Sequence, residues 1–391
     1  MIPDYYQQSI ALHQKLSGKI EIQNKIEVKT TKDLSLVYSP GVAGPCLEIE
    51  KKPEKVYDLT LKSNTVAIVS DGSAVLGLGN IGSLAAIPVM EGKAMLFKQF
   101  ARTNAFPICL NTQDTEEIIQ TVKNIAPVFG GINLEDISAP RCFEIEDRLQ
   151  DIGIPVFHDD QHGTAIVTLA GIINAAKFVG KPLGELKVVV NGAGAAGVAI
   201  AKLLRCIHQN PDLCQPVKNI IVCDSKGIIS NQRNDLNAVK KELLLFSNPQ
   251  NLNGSLQDAL KGADVFVGVS KGNLLDKDDI RLMAAKPIIF ALANPSPEII
   301  PELAYSAGAA VVATGRSDYP NQVNNLLVFP GIFKAALEMR VPQITSRMKL
   351  AAAFAIAGLI EKPDRDHIII SSLGQVVVEK VSEAVKKSQQ A

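Results

Sequence analysis

Three carboxylates, Glu135, Asp136 and Asp160, follow directly after two short apolar runs, in the segments GGINLEDIS and PVFHDDQHG. Acidic side chains at the end of a buried strand repel one another once water is excluded, unless a positive group gathers them. Hard oxygen ligands of this kind select Mg²⁺ or Mn²⁺ over zinc. A divalent-metal site is therefore one interpretation. Solvated loop acids or helix N-caps are the other, and the local sequence does not choose between them.

Lys93 and Tyr38 are candidates for proton transfer. Lys93 begins an otherwise apolar helical run in EGKAMLFKQF. Burial there lowers the pKa of an ammonium group, and a neutral amine can act as a base near neutral pH. A surface lysine whose stem covers an apolar face is the alternative. Tyr38 lies in a loop rich in proline and glycine, LVYSPGVAGPC, and is a similar candidate for an acid.

His158 and His162 stand four residues apart, a spacing that suits a zinc pair on one helix face. Two aspartates lie between them, and no third ligand motif matches them. The sequence therefore favours structural histidines whose ring nitrogens are hydrogen-bonded.

The segment NGAGAAG has the glycine pattern of a dinucleotide-binding turn. It follows the apolar strand LKVVV and opens the helix VAIAKLL, so the helix N-terminus offers free amides and a partial positive charge to a pyrophosphate. A tight packing turn without a ligand is the alternative. The predicted cofactor-binding residues are Gly192, Ala193, Gly194, Ala195, Ala196 and Gly197.

Asp224 ends the next predicted strand, NIIVCD, where a carboxylate can accept hydrogen bonds from both hydroxyls of the adenine ribose. Its distance from the glycine turn exceeds the usual ~20 residues. A polar, proline-containing insertion around 210–216 accounts for the excess. A carboxylate repels a 2′-phosphate and so favours NAD, although Ser225 and Lys226 could accept one, which leaves NADP possible.

These residues need a scaffold of alternating strands and helices. Up to residue 160, the runs TVAIVS, FPICLN, GGINL and IPVF alternate with helical segments, and LKVVV, NIIVCD, ADVFVGVS, KPIIFALANP and AAVVATG repeat the pattern afterwards. Such alternation predicts an α/β fold with parallel sheets. We expect an N-terminal α/β domain over 1–160. A Rossmann-like, doubly wound dinucleotide-binding domain with a helical C-terminal segment should follow over 161–391.

Two further segments carry structural expectations. The polar residues 4–26 predict a helix. A second glycine pattern, at Gly77, Gly79 and Gly82, has no acidic strand end at the right distance, so a turn on the substrate side is expected there.

The composition excludes several classes of partner. Forty basic and forty acidic residues balance, so no overall field holds a nucleic acid or an anionic membrane, and a small-molecule substrate is expected. Six cysteines without a CxxC pair indicate reduced thiols and a cytoplasmic location. The N-terminus lacks a signal-peptide pattern, and the apolar runs are shorter than the ~18 residues of a membrane span.

Eight segments of the chain resemble, in order and over nearly its whole length, those of the malic enzymes in their short bacterial-type form. They are LVYSPGVAGPC, VSDGSAVLGLGNIG, EGKAMLFKQF, NLEDISAPRCFEIE, FHDDQHGTAIVTLAG, NGAGAAG, FALANPSPEI and VNNLLVFPGIF. The resemblance implies that the chain oxidises L-malate with NAD or NADP and releases CO₂ to give pyruvate, with Mg²⁺ or Mn²⁺ present.

The same resemblance implies individual roles. Tyr38 would be the acid that protonates the enolate carbon, Lys93 the base that takes the C2 hydroxyl proton, and Asp159 a carboxylate close to that lysine. The implied metal ligands are Glu135, Asp136 and Asp160. Asn294 would contact cofactor and substrate, and Asn325 the substrate.

One departure from the family pattern concerns the substrate carboxylate. Long eukaryotic-type members carry an arginine in the block after DG, where this chain has Ser73 and Ala74. Carboxylate binding must therefore come from other groups. The expected small molecules are L-malate, pyruvate and oxaloacetate, and the expected assembly is a homodimer. The rival interpretations are a metal-dependent oxaloacetate decarboxylase on the same scaffold and a non-catalytic dinucleotide-binding sensor.

Overall fold

Apolar segments of the N-terminal half pair side by side as a parallel sheet in the computed structural model, which describes residues 5–207, 214–370 and 374–389. Its strand order is β2-β1-β3-β4. The strands are β1 (Thr65–Ser70), β2 (Asn104–Cys109), β3 (Gly131–Leu134) and β4 (Val156–His158).

Helices cover both faces of this sheet because alternate residues of β1 point to opposite sides. Val66 and Ile68 pack in one core with residues of α5, whereas Ala67 and Val69 pack in another with α6 and α7. The helices of this half are α1 (Tyr5–Leu16), α2 (Thr31–Val37), α3 (Ala43–Lys51), α4 (Val56–Leu59), α5 (Gly82–Ala101), α6 (Thr115–Ile125) and α7 (Arg141–Asp147).

A long helix, α8 (Asp159–Val179), leads into the second sheet, whose order is β10-β9-β8-β5-β6-β7. Its strands are parallel except for the short β7, which runs antiparallel to β6. They are β5 (Lys187–Asn191), β6 (Asn219–Asp224), β7 (Gly227–Ile228), β8 (Val265–Gly268), β9 (Ile288–Ala291) and β10 (Val311–Thr314). The chain reverses direction across the sheet between β5 and β8, the position at which doubly wound folds bind ligands.

The remaining helices of the second half are α9 (Ala195–Leu204), α10 (Ala238–Leu243), α11 (Leu256–Leu260), α12 (Lys277–Arg281), α13 (Pro301–Ser306), α14 (Phe329–Met339), α15 (Ser346–Ala357) and α16 (Gln375–Ser388). The last three return to the first half, as the predicted helical C-terminal segment should. Phe329 and Phe333 of α14 lie with ring centroids 4.7 and 5.4 Å from that of Phe97 in α5.

Helix α8 corrects one expectation about apolar length. With 21 residues and a mean hydropathy of 1.3, it is long and apolar enough to cross a membrane. However, 72% of its most apolar stretch is buried within the protein. It therefore has the character of a core helix, flanked by residues of both halves.

Two other expectations are wrong. The polar helix over 4–26 ends at Leu16, because Ser17 and Gly18 take positive φ angles of 54° and 112°, and residue 4 lies outside the described residues. Cys206 and Cys214 are joined by a disulfide rather than reduced, with Cα atoms 5.9 Å apart, because the chain after α9 returns to its own helix end. Most of the insertion around 210–216 lies outside the described residues. The domain boundary at 160/161 stays a prediction.

Candidate active site

Glu135, Asp136 and Asp160 meet at one edge of the first sheet. The strands β3 and β4 are parallel neighbours with Leu134 opposite His158, so the residues that follow them leave the sheet side by side. One carboxylate oxygen from each of the three residues lies within 4.8 Å of the other two. Of the two interpretations that the sequence left open, the geometry favours the metal site over dispersed loop acids.

The buried negative charges of this cluster would be stabilised by a bound cation. Burial, with the charges of Asp160 and Glu135, raises the pKa of Asp136 to about 9. Burial also raises the pKa of Glu135 and of Asp160. In addition, Asp136 Oδ2 is buried and has no hydrogen-bond partner among the described residues. Three crowded oxygen donors with an orphaned lone pair suit Mg²⁺ or Mn²⁺.

Lys93 projects from α5 into the same cluster and is only 7% exposed. Its ammonium pairs with Glu135 and, at 2.5 Å, with Asp159 Oδ2, and it lies 4.6 Å from the ring centroid of Phe329. Burial lowers the pKa of Lys93, but the carboxylates of Asp159, Glu135 and Asp160 outweigh burial and raise it above its ordinary value. The expectation that burial lowers the pKa of Lys93 is therefore wrong for this structure. The carboxylates that raise the pKa come from segments that are distant from Lys93 in the sequence.

Asp159 is fully buried beside Lys93, and its Oδ1 lacks a hydrogen-bond partner in the described part of the chain. Burial first, and then Glu135 and Asp160, raise its pKa to about 8 against the opposing effect of Lys93. Gly163, one turn along α8, makes room for it: a Cβ there would lie 1.9 Å from Asp159 Oδ1 and 3.0 Å from the Cβ of Asn325. Asn325 therefore lies next to this cluster, where the resemblance requires it.

Tyr38 stands apart from these buried groups. It caps the C-terminus of α2, and 68% of its surface is exposed. Within one copy of the chain, the candidate acid is thus not enclosed with the candidate base.

The two histidines behave differently from each other. His162 Nε2 lies 3.0 Å from Glu146 Oε2, so the expected hydrogen-bonded structural role fits it. His158 is fully buried at the end of β4, and neither of its ring nitrogens has a hydrogen-bond partner among the described residues. Its Nδ1 lies 3.7 Å from Asp160 Oδ2, and a backbone contact with Ile137 opposes the lowering of its pKa by burial. The structural role of His158 stays a prediction.

The glycine turn after β5 has the geometry predicted for it. Gly192 takes a φ of 127°, and a Cβ on Gly197 would lie 1.7 Å from the carbonyl oxygen of Gly192, so only glycines allow this close turn. Helix α9 begins at Ala195 without a side-chain cap, which leaves its N-terminal amides to a ligand. A cavity of about 890 Å³ opens here, and its lining includes Gly192, Ala193, Gly194 and Asp224.

Asn294, in the loop after β9, lies where the two halves meet. A Cβ on Gly77 of the first half would be only 1.9 Å from the carbonyl oxygen of Asn294. The second glycine pattern is thus a point of close contact between the halves, consistent with the turn predicted on the substrate side.

Two models of protein families match the chain: the malic enzyme N-terminal domain over residues 17–150 and the malic enzyme NAD-binding domain over residues 161–389. The chain belongs to the malic enzyme family. The bifunctional malic/malolactic enzyme of Bacillus subtilis is 54% identical over 386 residues, 98% of this chain and 92% of that relative. The NAD-dependent malic enzyme of Geobacillus stearothermophilus is 57% identical over 373 residues, 95% of this chain and 76% of that relative.

Among solved structures, the NAD-dependent malic enzyme of Thermotoga maritima superposes with a TM-score of 0.91 at 52% identity, covering 97% of this chain and 98% of that one. The resemblance and the α/β fold class predicted from the sequence are confirmed. So is the predicted class of enzyme, an NAD(P)-dependent malate dehydrogenase of the decarboxylating, malic type.

Sequence reasoning missed three groups around this malic enzyme site. Arg141 donates to Asp71 Oδ2 at 2.7 Å and to Ser73 Oγ at 2.9 Å, and Ser73 Oγ in turn accepts from the backbone of Ser138, beside the loop that carries Asp136. Arg141 thus stabilises the loop that carries Asp136 through the hydroxyl of Ser73. It lies in the block SAPRCFEIE, but its partners are distant in sequence.

The second missed group is Glu298, whose side chain is fully buried between two loops. Its carboxylate accepts from the backbone N–H of Ala293 at 3.1 Å and of Ser270 at 3.4 Å. It therefore ties the loop after β8 to the loop that carries Asn294. The third group is formed by Arg233 and Lys240, which both pair with Asp224.

Proposed function

We propose that this chain oxidises L-malate to pyruvate and CO₂ with Lys93 as the base, next to a divalent cation held by Glu135, Asp136 and Asp160. The observation that carries the proposal is the contact of one buried ammonium with Glu135 and Asp159 at the edge of the acidic cluster. Such a site would bring a proton acceptor and a cation within reach of one small hydroxy acid.

Lys93, Asp159 and Tyr38 would each have a separate role in the reaction. Lys93 would take the proton of the C2 hydroxyl while hydride leaves C2 for the dinucleotide, and Asp159 would hold its Nζ in place. Cleavage of the C3–C4 bond then releases CO₂, and Tyr38 would return a proton to C3. The cation, when bound, would polarise the C2 carbonyl and stabilise the negative charge of the enolate. The base role needs the neutral amine, and a cation would offset the charge of the carboxylates that keep Lys93 protonated.

NAD, or NADP, would occupy the cavity beside the glycine turn of residues 192–197, with Asp224 at its ribose end. The dinucleotide supplies the hydride acceptor. Asn294 and Asn325 would hold the substrate from the second half, and Asn294 would also contact the cofactor. The amides of Asn294 and Asn325 can donate hydrogen bonds to the carboxylate oxygens of the substrate. They would thus take the role of the arginine that long family members carry where this chain has Ser73 and Ala74.

A homodimer is the proposed assembly. Helices α2 and α3 bury no residue, and the segment from α1 to α3 exposes many large apolar side chains. An apolar surface of this kind indicates an interface. A second copy over it would also enclose Tyr38, which lies at the end of α2. Two identical apolar surfaces suit a twofold contact.

A cytoplasmic location stays a prediction. The free thiols of Cys46, Cys109, Cys142 and Cys223 and the bacterial relatives support it. The disulfide between Cys206 and Cys214 does not.

The test of the proposed reaction combines turnover with direct metal binding. Purified chain given malate, Mn²⁺ and NAD or NADP should show rising absorbance of the reduced nicotinamide. Asp136→Asn should lose both Mn²⁺ binding, followed by calorimetry, and turnover. Its thermal stability should not fall, because one of three crowded negative charges is removed. Asp147→Asn, at the exposed end of α7, is the matched control and should keep both activities.

Two results would contradict the proposal. Decarboxylation of oxaloacetate without reduction of the nicotinamide would favour the decarboxylase. Full turnover of the Asp136→Asn variant would show that the acidic cluster does not hold the working cation.

A further inference from the structure

Two of the candidate site residues, Asp159 and Asp160, lie in the first turn of α8, and the N-cap side chain does not hold this turn. The N-cap residue is His158, whose side chain makes no capping hydrogen bond. Asp159 pairs with Lys93, and Asp160 is a candidate metal ligand. The direction in which both carboxylates point therefore depends on the contacts that hold the start of α8.

The carboxylate of Glu146 holds the start of α8 on both sides of the two aspartates. Its Oε1 accepts from the backbone N–H of His158 at 3.0 Å, directly before them. Its Oε2 accepts from Gln161 Nε2 at 3.0 Å and lies 3.0 Å from His162 Nε2, directly after them. Contacts of one carboxylate thus enclose the pair of aspartates along the chain.

Glu146 is itself buried and charged. It belongs to α7, and only 7% of its surface is exposed. Burial alone would raise the pKa of its carboxyl, but His162, Lys349 and His158 outweigh burial and lower this pKa to about 2. Glu146 therefore stays ionised, and a negative charge at the N-terminus of a helix is also stabilised by the helix dipole.

The C-terminal helices supply a positive charge near Glu146. Lys349 lies on α15, and its Nζ is 6.0 Å from the ring centroid of Phe157, the residue before His158. Burial lowers the pKa of Lys349, and the charge of Glu146 opposes this lowering, so the two groups interact electrostatically. The network around Glu146 therefore joins α7, α8 and α15, which are separate in the sequence.

A small rotation of the first turn of α8 would disturb both aspartates. Asp159 Oδ2 lies 2.5 Å from Lys93 Nζ, and Asp160 Oδ2 accepts from the backbone N–H of Asp136 at 2.8 Å. Mg²⁺ requires a strict arrangement of its oxygen ligands, so a displaced carboxylate binds it poorly. The contacts of Glu146 therefore bear on the cation and on the lysine together.

We propose that Glu146 is a positioning residue for the reaction, which holds the first turn of α8 so that Asp159 meets the candidate base and Asp160 the candidate metal. The inference rests on the metal site of the proposed function. Groups that orient metal ligands without touching the metal typically change metal affinity or activity by about 10- to 100-fold when they are replaced. The sequence does not indicate this role, because Glu146 is one of three acids in FEIED and lies 12 residues before His158.

Two replacements of Glu146 separate the effect of its position from that of its charge. Glu146→Asp keeps the charge but shortens the side chain by one methylene, so the carboxylate cannot keep its contacts on both sides of the aspartates. Glu146→Gln removes the charge but keeps the length, and its amide oxygen can still accept from the backbone of His158. Mn²⁺ binding to the whole chain, followed by calorimetry, should weaken about 10- to 100-fold in Glu146→Asp and less in Glu146→Gln.

Further measurements distinguish positioning from a general loss of structure. In Glu146→Asp, kcat at saturating Mn²⁺ should also fall, since Asp159 no longer holds Lys93 Nζ in place. The dissociation constant of NADH should not change, because the dinucleotide cavity lies in the second half. Gln161→Ala removes a single contact of Glu146 and should weaken Mn²⁺ in the same direction. Glu144→Gln, exposed on α7, is the matched control and should bind Mn²⁺ as the unchanged chain does.

Three results would overturn the inference. If Glu146→Gln weakens Mn²⁺ binding as much as Glu146→Asp or more, charge and not position is the cause. If both variants lose thermal stability but keep Mn²⁺ affinity and kcat, Glu146 is only structural. If neither variant folds, Gln161→Ala decides, and unaltered Mn²⁺ binding and kcat in that variant refute positioning. A failure of the unchanged chain to bind Mn²⁺ would instead refute the metal site of the proposed function, and this inference with it.

Discussion

Lys93 illustrates how far the chemistry of a residue depends on neighbours that are remote in the chain. Its partners Glu135 and Asp159 come from the ends of two strands, and 66 residues separate Lys93 from Asp159. Removing the one positive charge that lies among several buried carboxylates is energetically unfavourable, because the removal leaves their negative charge uncompensated. Any substitution at this position therefore affects both charge balance and proton transfer, and a test must separate the two.

Replacement of Lys93 by alanine should lower kcat by about 10²- to 10⁴-fold, the usual contribution of a positioned base. The dissociation constant of NADH should change little, because the dinucleotide cavity lies in the second half. Steady-state kinetics and NADH titration measure the two effects. Lys98→Ala, on the exposed side of the same helix, should retain turnover. Near-normal kcat for Lys93→Ala would remove the base assignment.

At the scale of elements, the ends of parallel strands create both candidate sites. The carboxyl ends of β3 and β4 hold the acidic cluster, and those of β5, β8 and β9 carry the glycine turn, Ser270 and Asn294. Loops at these ends need support, which Glu298 gives by bridging the loops after β8 and β9. Burial raises the pKa of Glu298 to about 7, although the hydrogen bonds from the backbone of Ala293 and Ser270 oppose this rise.

This buried carboxyl predicts a pH-dependent contribution to stability. The folded chain keeps the proton of Glu298 up to about pH 7, whereas a glutamate in the unfolded chain releases it near pH 4.5. Between those values the folded state binds more protons than the unfolded state, so this group makes the free energy of unfolding fall as pH rises. The loss amounts to at most ~3 kcal/mol, an order-of-magnitude figure from the size of the shift.

Glu298→Gln should remove that slope. Urea unfolding at pH 5 and pH 7.5 should show the variant gaining stability, relative to the unchanged chain, at the higher pH. Glu302→Gln, an exposed residue of α13, is the control and should show no such difference. If the free energy of unfolding depends on pH in the same way in Glu298→Gln and in the unchanged chain, Glu298 is ionised in the folded protein.

At the scale of the whole molecule, the N-terminal segment from α1 to α3 packs less tightly than the rest of a single copy. Its helices α1 to α3 bury no residue, although both sheets and α8 are well packed. Ordered helices without a buried face gain little from their own propensity. A second copy of the chain would supply the missing packing and would cover Tyr38.

Charged substitutions on this surface should separate the copies. Ile22 is 83% exposed and Leu36 is 66% exposed, and replacing both by aspartate should shift the sedimentation coefficient from dimer to monomer, because a buried unpaired charge is strongly unfavourable. Leu245→Asp is a matched control, since Leu245 is 84% exposed but belongs to the second half. A dimer that survives the first pair of changes, or a chain that is monomeric from the start, would contradict the proposed assembly.

The sequence alone determined the features that depend on neighbours along the chain. Apolar runs of four to six residues predict β1, β3 and β5, and the glycine spacing of residues 192–197 predicts the turn before α9. The meeting of Glu135 and Asp160 also required β3 and β4 to be neighbours in the sheet, which the sequence left open. Helix ends were less certain, as Ser17 and Gly18 show, because a single change of backbone angle stops a helix that the polar pattern would continue.

Only the tertiary structure decided the charge state and the partners of the site residues. The raised pKa of Lys93, the pairing of Asp224 with Arg233 and Lys240, and the disulfide of Cys206 with Cys214 all require segments to meet in space. Electrostatic energy depends on distance and burial, and neither can be derived from residue order until the chain is folded. The residue types indicate which chemistry is possible, and the packing around them sets which protonation state and which ligand the site favours.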